Sequence, residues 1–166
     1  MKIKSIWLLL IVTFGFPPVN WAVEPKTEVE PKAELVLYRE TFDPFTIFRS
    51  GRFCENVYYL EKGRNAEDLG DMRNDFCEGE YSMTLDGPPG TTVTIYGQFF
   101  YGEKRGAITV TKTDNQQVWI WDLEDFPDRK WVVAEANKST GGYEVFYKAA
   151  TNFKNNIGSV KWDAVP

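Results

Sequence analysis

Residues 91–122 alternate between apolar and polar positions, and this period of two constrains the fold more than any other feature of the chain. Apolar residues occupy every second position around residues 93–101, with an interruption at Gly97, and around residues 108–110. Residues 118–121 are apolar throughout, and polar turns separate the three runs. β-Branched and aromatic residues at this spacing are typical of β-strands, and short polar turns connect such strands as antiparallel hairpins. The stretch therefore predicts three antiparallel strands.

The third of these runs is apolar on both of its faces. Trp119 and Trp121 share one face, and Val118 and Ile120 share the other. A strand that is apolar on both faces is expected in the middle of a sheet that a second layer covers. We therefore expect residues 118–123 to form a central strand, in which the two tryptophans serve the core more than a binding surface.

The remainder of the chain continues the same pattern. Further strands are predicted at residues 34–38, 57–60, 81–86, 131–135, 143–149 and 157–162. Helical spacing never persists for more than about two turns. We predict an all-β fold, a two-layer antiparallel β-sandwich of the jelly-roll type with about eight or nine strands, which residues 34–166 form as a single domain.

Residues 1–22 have the features of a secretory signal peptide. Lys2 and Lys4 precede an apolar run, and residues 20–22 provide an end suited to cleavage. A membrane anchor is the alternative, but the run is short for a span and two prolines follow it. No second apolar run follows, so we expect a secreted, extracellular protein without membrane insertion, in which residues 23–33 are an extended charged linker.

Charge and composition exclude several classes of function. The formal net charge is −5, and removal of residues 1–22 takes it to −7 because that segment carries two lysines and no acid. An acidic chain is a poor ligand for nucleic acid, so no nucleic-acid partner is expected. The chain contains no histidine, which excludes Ser-His-Asp and Cys-His catalytic arrangements and every zinc site that uses histidine.

The chain has two cysteines, Cys54 and Cys77. In a secreted protein such a pair is expected to form a disulfide, because the exporting compartment is oxidising. Two free thiols are the alternative. A bridge between these positions stabilises the fold by roughly 3 kcal/mol on the chain-entropy account.

Residues 61–80 are the most polar segment, and their lack of strand or helix spacing predicts a long surface loop. Calcium takes about six to eight oxygen ligands, which irregular acidic loops supply from carboxylates and backbone carbonyls. We expect any bound calcium to use Asp68, Asp71, Asp75 and Glu78, and no other cofactor is expected. The alternative is a solvated charged loop in which neighbouring arginines neutralise the acids.

A series of strand motifs runs in order through residues 91–162. It comprises Val93-Thr94-Ile95-Tyr96, Gly106-Ala107-Ile108-Thr109-Val110, Gln117-Val118-Trp119, Trp131, and Tyr143-Glu144-Val145-Phe146-Tyr147. In order and spacing these motifs resemble the MAM domain, a jelly-roll module of adhesion proteins and receptor ectodomains. The family usually carries four cysteines, whereas this chain has two. The resemblance implies a secreted, non-catalytic interaction module that binds an extracellular protein.

Residues 154–160 are similar to the calcium-site strand of βγ-crystallin motifs. Such motifs carry an acidic or amide residue where this chain has Lys154. A fixed ammonium group at that position would compete with a cation.

Aromatic residues are abundant, with 6 Trp, 8 Tyr and 12 Phe, so some of them are available for a binding surface. Sandwiches that bind sugars stack pyranose rings on exposed aromatic side chains. The candidate ligand-binding residues are Tyr96, Phe100, Trp119 and Trp121, with Tyr147 expected on the same sheet face. Core packing is the alternative use of these rings. This feature favours a carbohydrate-binding module. The resemblance to the MAM domain implies a protein partner, so the expected partner is an extracellular protein or a glycan.

Two acidic residues, Asp122 and Glu124, follow the run at residues 118–121. Paired carboxylates on a sheet are the catalytic groups of sandwich glycosidases, so a glycan hydrolase is a third hypothesis. The residues after Asp122 predict a turn rather than a continued strand, and no recognisable catalytic motif is present. No catalytic residue is therefore assigned.

The triplet Asn137-Lys138-Ser139 matches the acceptor pattern for N-glycosylation. It falls in a predicted turn, where an acceptor asparagine is accessible. We therefore expect a glycan on Asn137 of the secreted protein.

Overall fold

The computed structural model describes residues 32–41, 54–70 and 79–163, which fold into a two-layer antiparallel β-sandwich. The strands of this part of the chain are β1 (Glu34–Thr41), β2 (Cys54–Glu61), β3 (Glu80–Asp86), β4 (Thr92–Tyr96), β5 (Ala107–Lys112), β6 (Val118–Ile120), β7 (Trp131–Ala134), β8 (Tyr143–Lys148) and β9 (Ser159–Trp162). The predicted all-β sandwich and its predicted number of strands are confirmed.

Four strands form one sheet in the order β2-β1-β3-β6, and five form the other in the order β7-β8-β5-β4-β9. All strand pairs within the two sheets are antiparallel. β1 pairs with both β2 and β3, so Leu35 lies between Leu60 and Leu85. In the second sheet β4 and β5 are consecutive strands, whereas β9 returns from the far end of the described chain to pair with β4.

The core lies between the two sheets, because every second residue of each strand points inward. The inward residues are apolar and buried, and they include Leu35, Leu37, Met83, Leu85, Val93, Ile95, Ile108, Val110, Val145 and Val160. Burial of each such side chain contributes about 1.5–3 kcal/mol relative to its exposure. The alternation seen in the sequence is therefore what brings the two sheets together.

β6 differs from its prediction. It lies at the edge of the four-stranded sheet and not in the middle. Val118 and Ile120 are buried in the core, but Trp119 lies on the outer face and Trp121 is 69% exposed. The prediction was wrong because aromatic rings on an outer face cover one another by stacking, so an apolar pattern on both faces does not require two covering layers.

The free edge of β6 is partly covered by the turn between β7 and β8. The Trp119 N–H donates to Thr140 Oγ1 at 2.8 Å, and the Gly141 N–H donates to the Gln117 carbonyl at 2.7 Å. These bonds satisfy backbone groups that an edge strand otherwise leaves open to pairing with another chain.

The predicted signal peptide at residues 1–22 and most of the predicted linker lie outside the described residues, so secretion stays a prediction. The described helical structure is a short 3-10 turn, Phe153–Asn155. Within the described part of the chain, no helix has the length and apolar character needed to cross a membrane.

Candidate binding face

The outer face of the five-stranded sheet carries four threonines in two facing pairs. Thr92 and Thr94 of β4 lie opposite Thr111 and Thr109 of β5. The hydroxyl oxygens are 2.9 Å apart in the first pair and 3.0 Å apart in the second, so each pair shares a hydrogen bond. Both strands contain the motif Thr-Val-Thr, which sends the valine to the core and the threonines to the outer face.

Larger side chains stand on both sides of these threonines. One register row runs from Trp131 through Phe146, Thr109 and Thr94 to Lys161, across all five strands. Trp131 is 60% exposed, and its ring centroid lies 5.4 Å from that of Phe146. Thr94 is only 8% exposed although it lies on an outer face. The band of small side chains between these larger ones is here called the threonine trough, and its floor comprises Thr92, Thr94, Thr109 and Thr111.

Tyr96 lies at one end of this floor, two residues along β4 from Thr94. Its ring centroid is 5.7 Å from that of Tyr101, edge to face, and Lys161 Nζ lies 5.9 Å from the centroid of Tyr101. Burial raises the pKa of both phenols above the usual value, and nearby carboxylates add to the rise. Both hydroxyls are therefore protonated at neutral pH, and each both donates and accepts hydrogen bonds.

The trough combines an apolar wall with a hydroxyl floor. The two hydroxyls of each threonine pair hydrogen-bond to each other, and the Thr92 hydroxyl also donates to the Gly90 carbonyl at 3.1 Å, so the floor offers a ligand mainly acceptor lone pairs. The indole of Trp131 offers a flat apolar surface. Lys148 and Glu103 neutralise each other at 2.8 Å near the Tyr96 end. This arrangement suits a ligand that has both apolar C–H faces and many hydroxyl groups.

A second aromatic surface lies on the outer face of the four-stranded sheet. Trp119 stacks on Tyr38 with ring centroids 5.6 Å apart and planes 11° apart, and Trp121 lies 4.6 Å from Trp119. Tyr38 lies opposite Ser82 of β3 and Trp119 lies opposite Thr84, so their rings meet across β3, where Thr84 is 1% exposed. Tyr38, Trp119 and Trp121 are here called the aromatic stack.

The four predicted ligand-binding residues do not share one face. Tyr96 lies at the end of the threonine trough, and Phe100 is 70% exposed in the turn that follows β4. Trp119 and Trp121 belong to the aromatic stack on the other sheet. Tyr147, which was expected beside them, is buried in the core at 3% exposure. The structure therefore divides the predicted set into two surfaces.

Trp131 and Phe146 were not among the predicted ligand-binding residues. Trp131 and Val133 lie on the outer face of an edge strand and are 60% and 65% exposed. Residues 131–134 are all apolar, so no alternation in the sequence separates an outer face from an inner one. Only the pairing of Trp131 with Phe146 shows which of Trp131 and Val132 faces outward.

Asp122 and Glu124 are both held by Lys154. Asp122 Oδ2 lies 3.2 Å from Lys154 Nζ, and Glu124 Oε1 accepts the backbone N–H of Lys154 at 3.2 Å. Asp122 Oδ1 also accepts the Glu124 N–H at 2.9 Å. Glu80 lies 3.0 Å from the same ammonium group, and the hydrogen bonds to Glu80 and then to Asp122 raise the pKa of Lys154. The two acids therefore fix a turn around a cation.

Of the four predicted calcium ligands, Asp68 lies among the described residues, where its Oδ1 accepts the Gly70 N–H at 2.7 Å. Asp71, Asp75 and Glu78 lie outside them. Within residues 32–41, 54–70 and 79–163, no three acidic or cysteine side chains come together as a metal site would require. Calcium binding stays a prediction.

Cys54 begins β2, and its backbone lies opposite Thr41 of β1. Cys77 lies outside the described residues, so the disulfide stays a prediction. The backbone position of Cys54 in the sheet is nevertheless defined, because β2 pairs with β1 along its whole length.

Asn137 is exposed in the turn between β7 and β8. Its Oδ1 accepts the backbone N–H groups of Ser139 at 2.8 Å and Thr140 at 3.3 Å. The acceptor triplet thus lies on an accessible turn, and its glycosylation stays a prediction.

Neither a family model, nor a curated protein, nor a solved structure matches the chain. The resemblance to the MAM domain therefore stays a prediction from the sequence. The threonine trough and the aromatic stack are the features from which a function can be inferred.

Proposed function

We propose that the protein is a secreted, non-catalytic carbohydrate-binding module that holds a neutral glycan in the threonine trough. One observation carries the proposal: a single register row places the exposed ring of Trp131 on the same face as the paired hydroxyls of Thr94 and Thr109. A pyranose ring has a C–H face that packs on an indole and a rim of hydroxyls that hydrogen-bond to threonine and tyrosine.

The charges of the chain favour a neutral glycan over an acidic one. The formal net charge is −5, so an anionic polysaccharide meets long-range repulsion. At the trough, Glu103 neutralises Lys148, and the ammonium group of Lys161 lies against the ring of Tyr101. Glu144 faces outward beside the aromatic wall and adds a further negative charge.

Replacement of Trp131 by alanine tests the proposal. We expect Trp131→Ala to weaken binding to neutral polysaccharides by about tenfold or more, equivalent to ~1.4 kcal/mol or more, because exposed aromatic anchors carry much of the binding energy of a surface. The melting temperature should change little, since the side chain is 60% exposed on an edge strand. Affinity electrophoresis in gels that contain soluble neutral glucans, mannans or xylans measures the effect.

Trp121→Ala is the matched control for this experiment. Trp121 is 69% exposed but lies on the opposite sheet, so its removal should leave glycan binding unchanged. Equal retardation of wild type and Trp131→Ala, or equal losses in the two variants, would contradict binding in the threonine trough.

The aromatic stack favours a second function, the adhesion role that the resemblance to the MAM domain implies. Trp121 lies exposed on the stacked rings of Trp119 and Tyr38, and large aromatic anchors are enriched in protein interfaces. In this alternative the outer face of the four-stranded sheet binds an extracellular protein.

Binding of the labelled protein to cell surfaces separates the two functions. Protein binding through the aromatic stack should disappear after protease treatment of the cells and in Trp121→Ala, while Trp131→Ala binds normally. Loss after glycosidase treatment, together with failure of Trp131→Ala, assigns the binding to the threonine trough instead.

A further inference from the structure

The connection between β4 and β5 leaves the threonine trough at its Tyr96 end and contains an unusual turn. Phe100 and Tyr101 have φ angles of 52° and 59°, so two consecutive non-glycine residues adopt the left-handed conformation. This conformation is disfavoured for residues with a side chain, and it persists where the surrounding structure imposes it.

Two separate segments hold this turn in place. The Phe100 N–H donates to the Glu67 carbonyl at 2.8 Å, and the Tyr101 N–H donates to Ser159 Oγ at 2.9 Å. The Ser159 hydroxyl in turn donates to the Gln98 carbonyl at 2.7 Å, and Ser159 is fully buried. The turn is therefore fixed by β9 and by the segment after β2, and its conformation does not depend on its own sequence alone.

The result of this conformation is a defined placement of two aromatic rings. Tyr101 is directed onto Tyr96 and Lys161 at the end of the trough. Phe100, its neighbour in the chain, is left 70% exposed. Strain at a well-anchored turn is typical of binding sites, where it holds side chains in the geometry that a ligand needs.

We propose that Phe100 forms an extension subsite at the Tyr96 end of the threonine trough, where it stacks against a further sugar ring of a bound oligosaccharide. This inference rests on the proposed function. The trough floor, from Thr92 to Tyr96, is roughly 14 Å long at ~3.4 Å per residue. A ligand that fills this floor reaches Phe100 only if it is longer than the floor, so the module selects long glycan chains over short ones.

The dependence of affinity on chain length tests the subsite. The probes are neutral β-1,4-linked oligosaccharides of glucose, xylose and mannose, from disaccharide to hexasaccharide, titrated by calorimetry. We expect the wild-type protein to bind the hexasaccharide of its preferred sugar about tenfold tighter than the disaccharide. Phe100→Ala should lose this gain and keep the disaccharide affinity, whereas Phe100→Tyr, which retains a ring, should keep the gain.

Tyr59→Ala provides the matched control, because Tyr59 is 64% exposed and lies on the four-stranded sheet. Ser159→Ala tests the positioning of the turn: it should reduce the length gain while Trp131-dependent binding of the disaccharide persists. If Phe100→Ala retains the full gain with length, the subsite is disproved while the trough stands. If the wild-type protein binds none of the oligosaccharides, or binds them independently of Trp131, the proposed function fails and the subsite fails with it.

Discussion

Lys112 shows how a charged side chain occupies an inward position. Ile108, Val110 and Lys112 alternate along β5, so Lys112 lies on the core face and is 1% exposed. Its Nζ donates to the carbonyl oxygens of Leu85 and Gln116, and Leu85 belongs to β3 of the opposite sheet. The ammonium group therefore joins the two layers through backbone acceptors.

Lys112 should make the free energy of unfolding depend on pH in the alkaline range. Burial lowers its pKa below the ordinary 10.5, and Asp86 and Asp114 oppose this shift only in part. Between the folded and unfolded pKa values the unfolded chain binds more protons, so this group makes the free energy of unfolding rise as the pH increases toward 10.5. We expect Lys112→Met to lack this rise, measured by urea denaturation across alkaline pH.

The exposed residue Lys130 provides the control, since Lys130→Met should retain the wild-type pH dependence. The tyrosines with raised pKa titrate in every variant, so their effect cancels in the comparison. If the free energy of unfolding changes with pH in parallel for wild type and Lys112→Met, burial does not lower the pKa of Lys112.

At the scale of the element, the edge position of β6 separates the roles of its two tryptophans. Trp119 packs on Tyr38 and covers Thr84, whereas Trp121 is 69% exposed. We expect Trp121→Ala to change the free energy of unfolding by no more than about 0.5 kcal/mol, as surface substitutions usually do. Trp119→Ala should lower the free energy of unfolding by more than this, but by less than the ~3–5 kcal/mol typical of a fully buried tryptophan. Thermal melts of both variants measure this difference, and equal melting temperatures would disprove it.

The period of two predicted the strands because it is a local property of the sequence. The run at residues 81–86 became β3, Glu80–Asp86, and the runs after it became β4 and β5. Alternation does not encode which strands are neighbours. The place of Trp119 beside Thr84 depends on the pairing of β6 with β3, which residues far apart in the chain determine.

The candidate site was predictable only in part, for the same reason. Tyr96 and Phe100 were predicted from their aromatic character. The hydroxyl floor requires the register that sets Thr94 against Thr109, and the aromatic wall requires β7 and β8 to lie beside β5. No local pattern distinguishes these threonines from those of any other outer face, because the hydroxyl floor and the aromatic wall both depend on which strands pair.

At the scale of the whole molecule, the two cysteines should stabilise the sandwich. We expect the double variant Cys54→Ser, Cys77→Ser to unfold with a free energy lower by roughly 3 kcal/mol, because the bridge restricts the unfolded chain. Linked peptides after digestion without reductant, identified by mass spectrometry, establish the pairing. Two thiols that react freely with an alkylating agent would rule it out.

β9 has a consequence for the biosynthesis of the protein. It supplies Lys161 to the wall of the threonine trough and Ser159 to the turn that carries Phe100, and it pairs with β4 from the far end of the described chain. The wall of the threonine trough and the turn that carries Phe100 therefore cannot form until the ribosome has synthesised β9. Until then the inward side chains of β4 and its unpaired edge are open to other nascent chains, as in other sheets closed by distant strands. Protein yield should consequently respond to the supply of chaperones during translation, and ligand-binding competence should appear only after synthesis has passed β9.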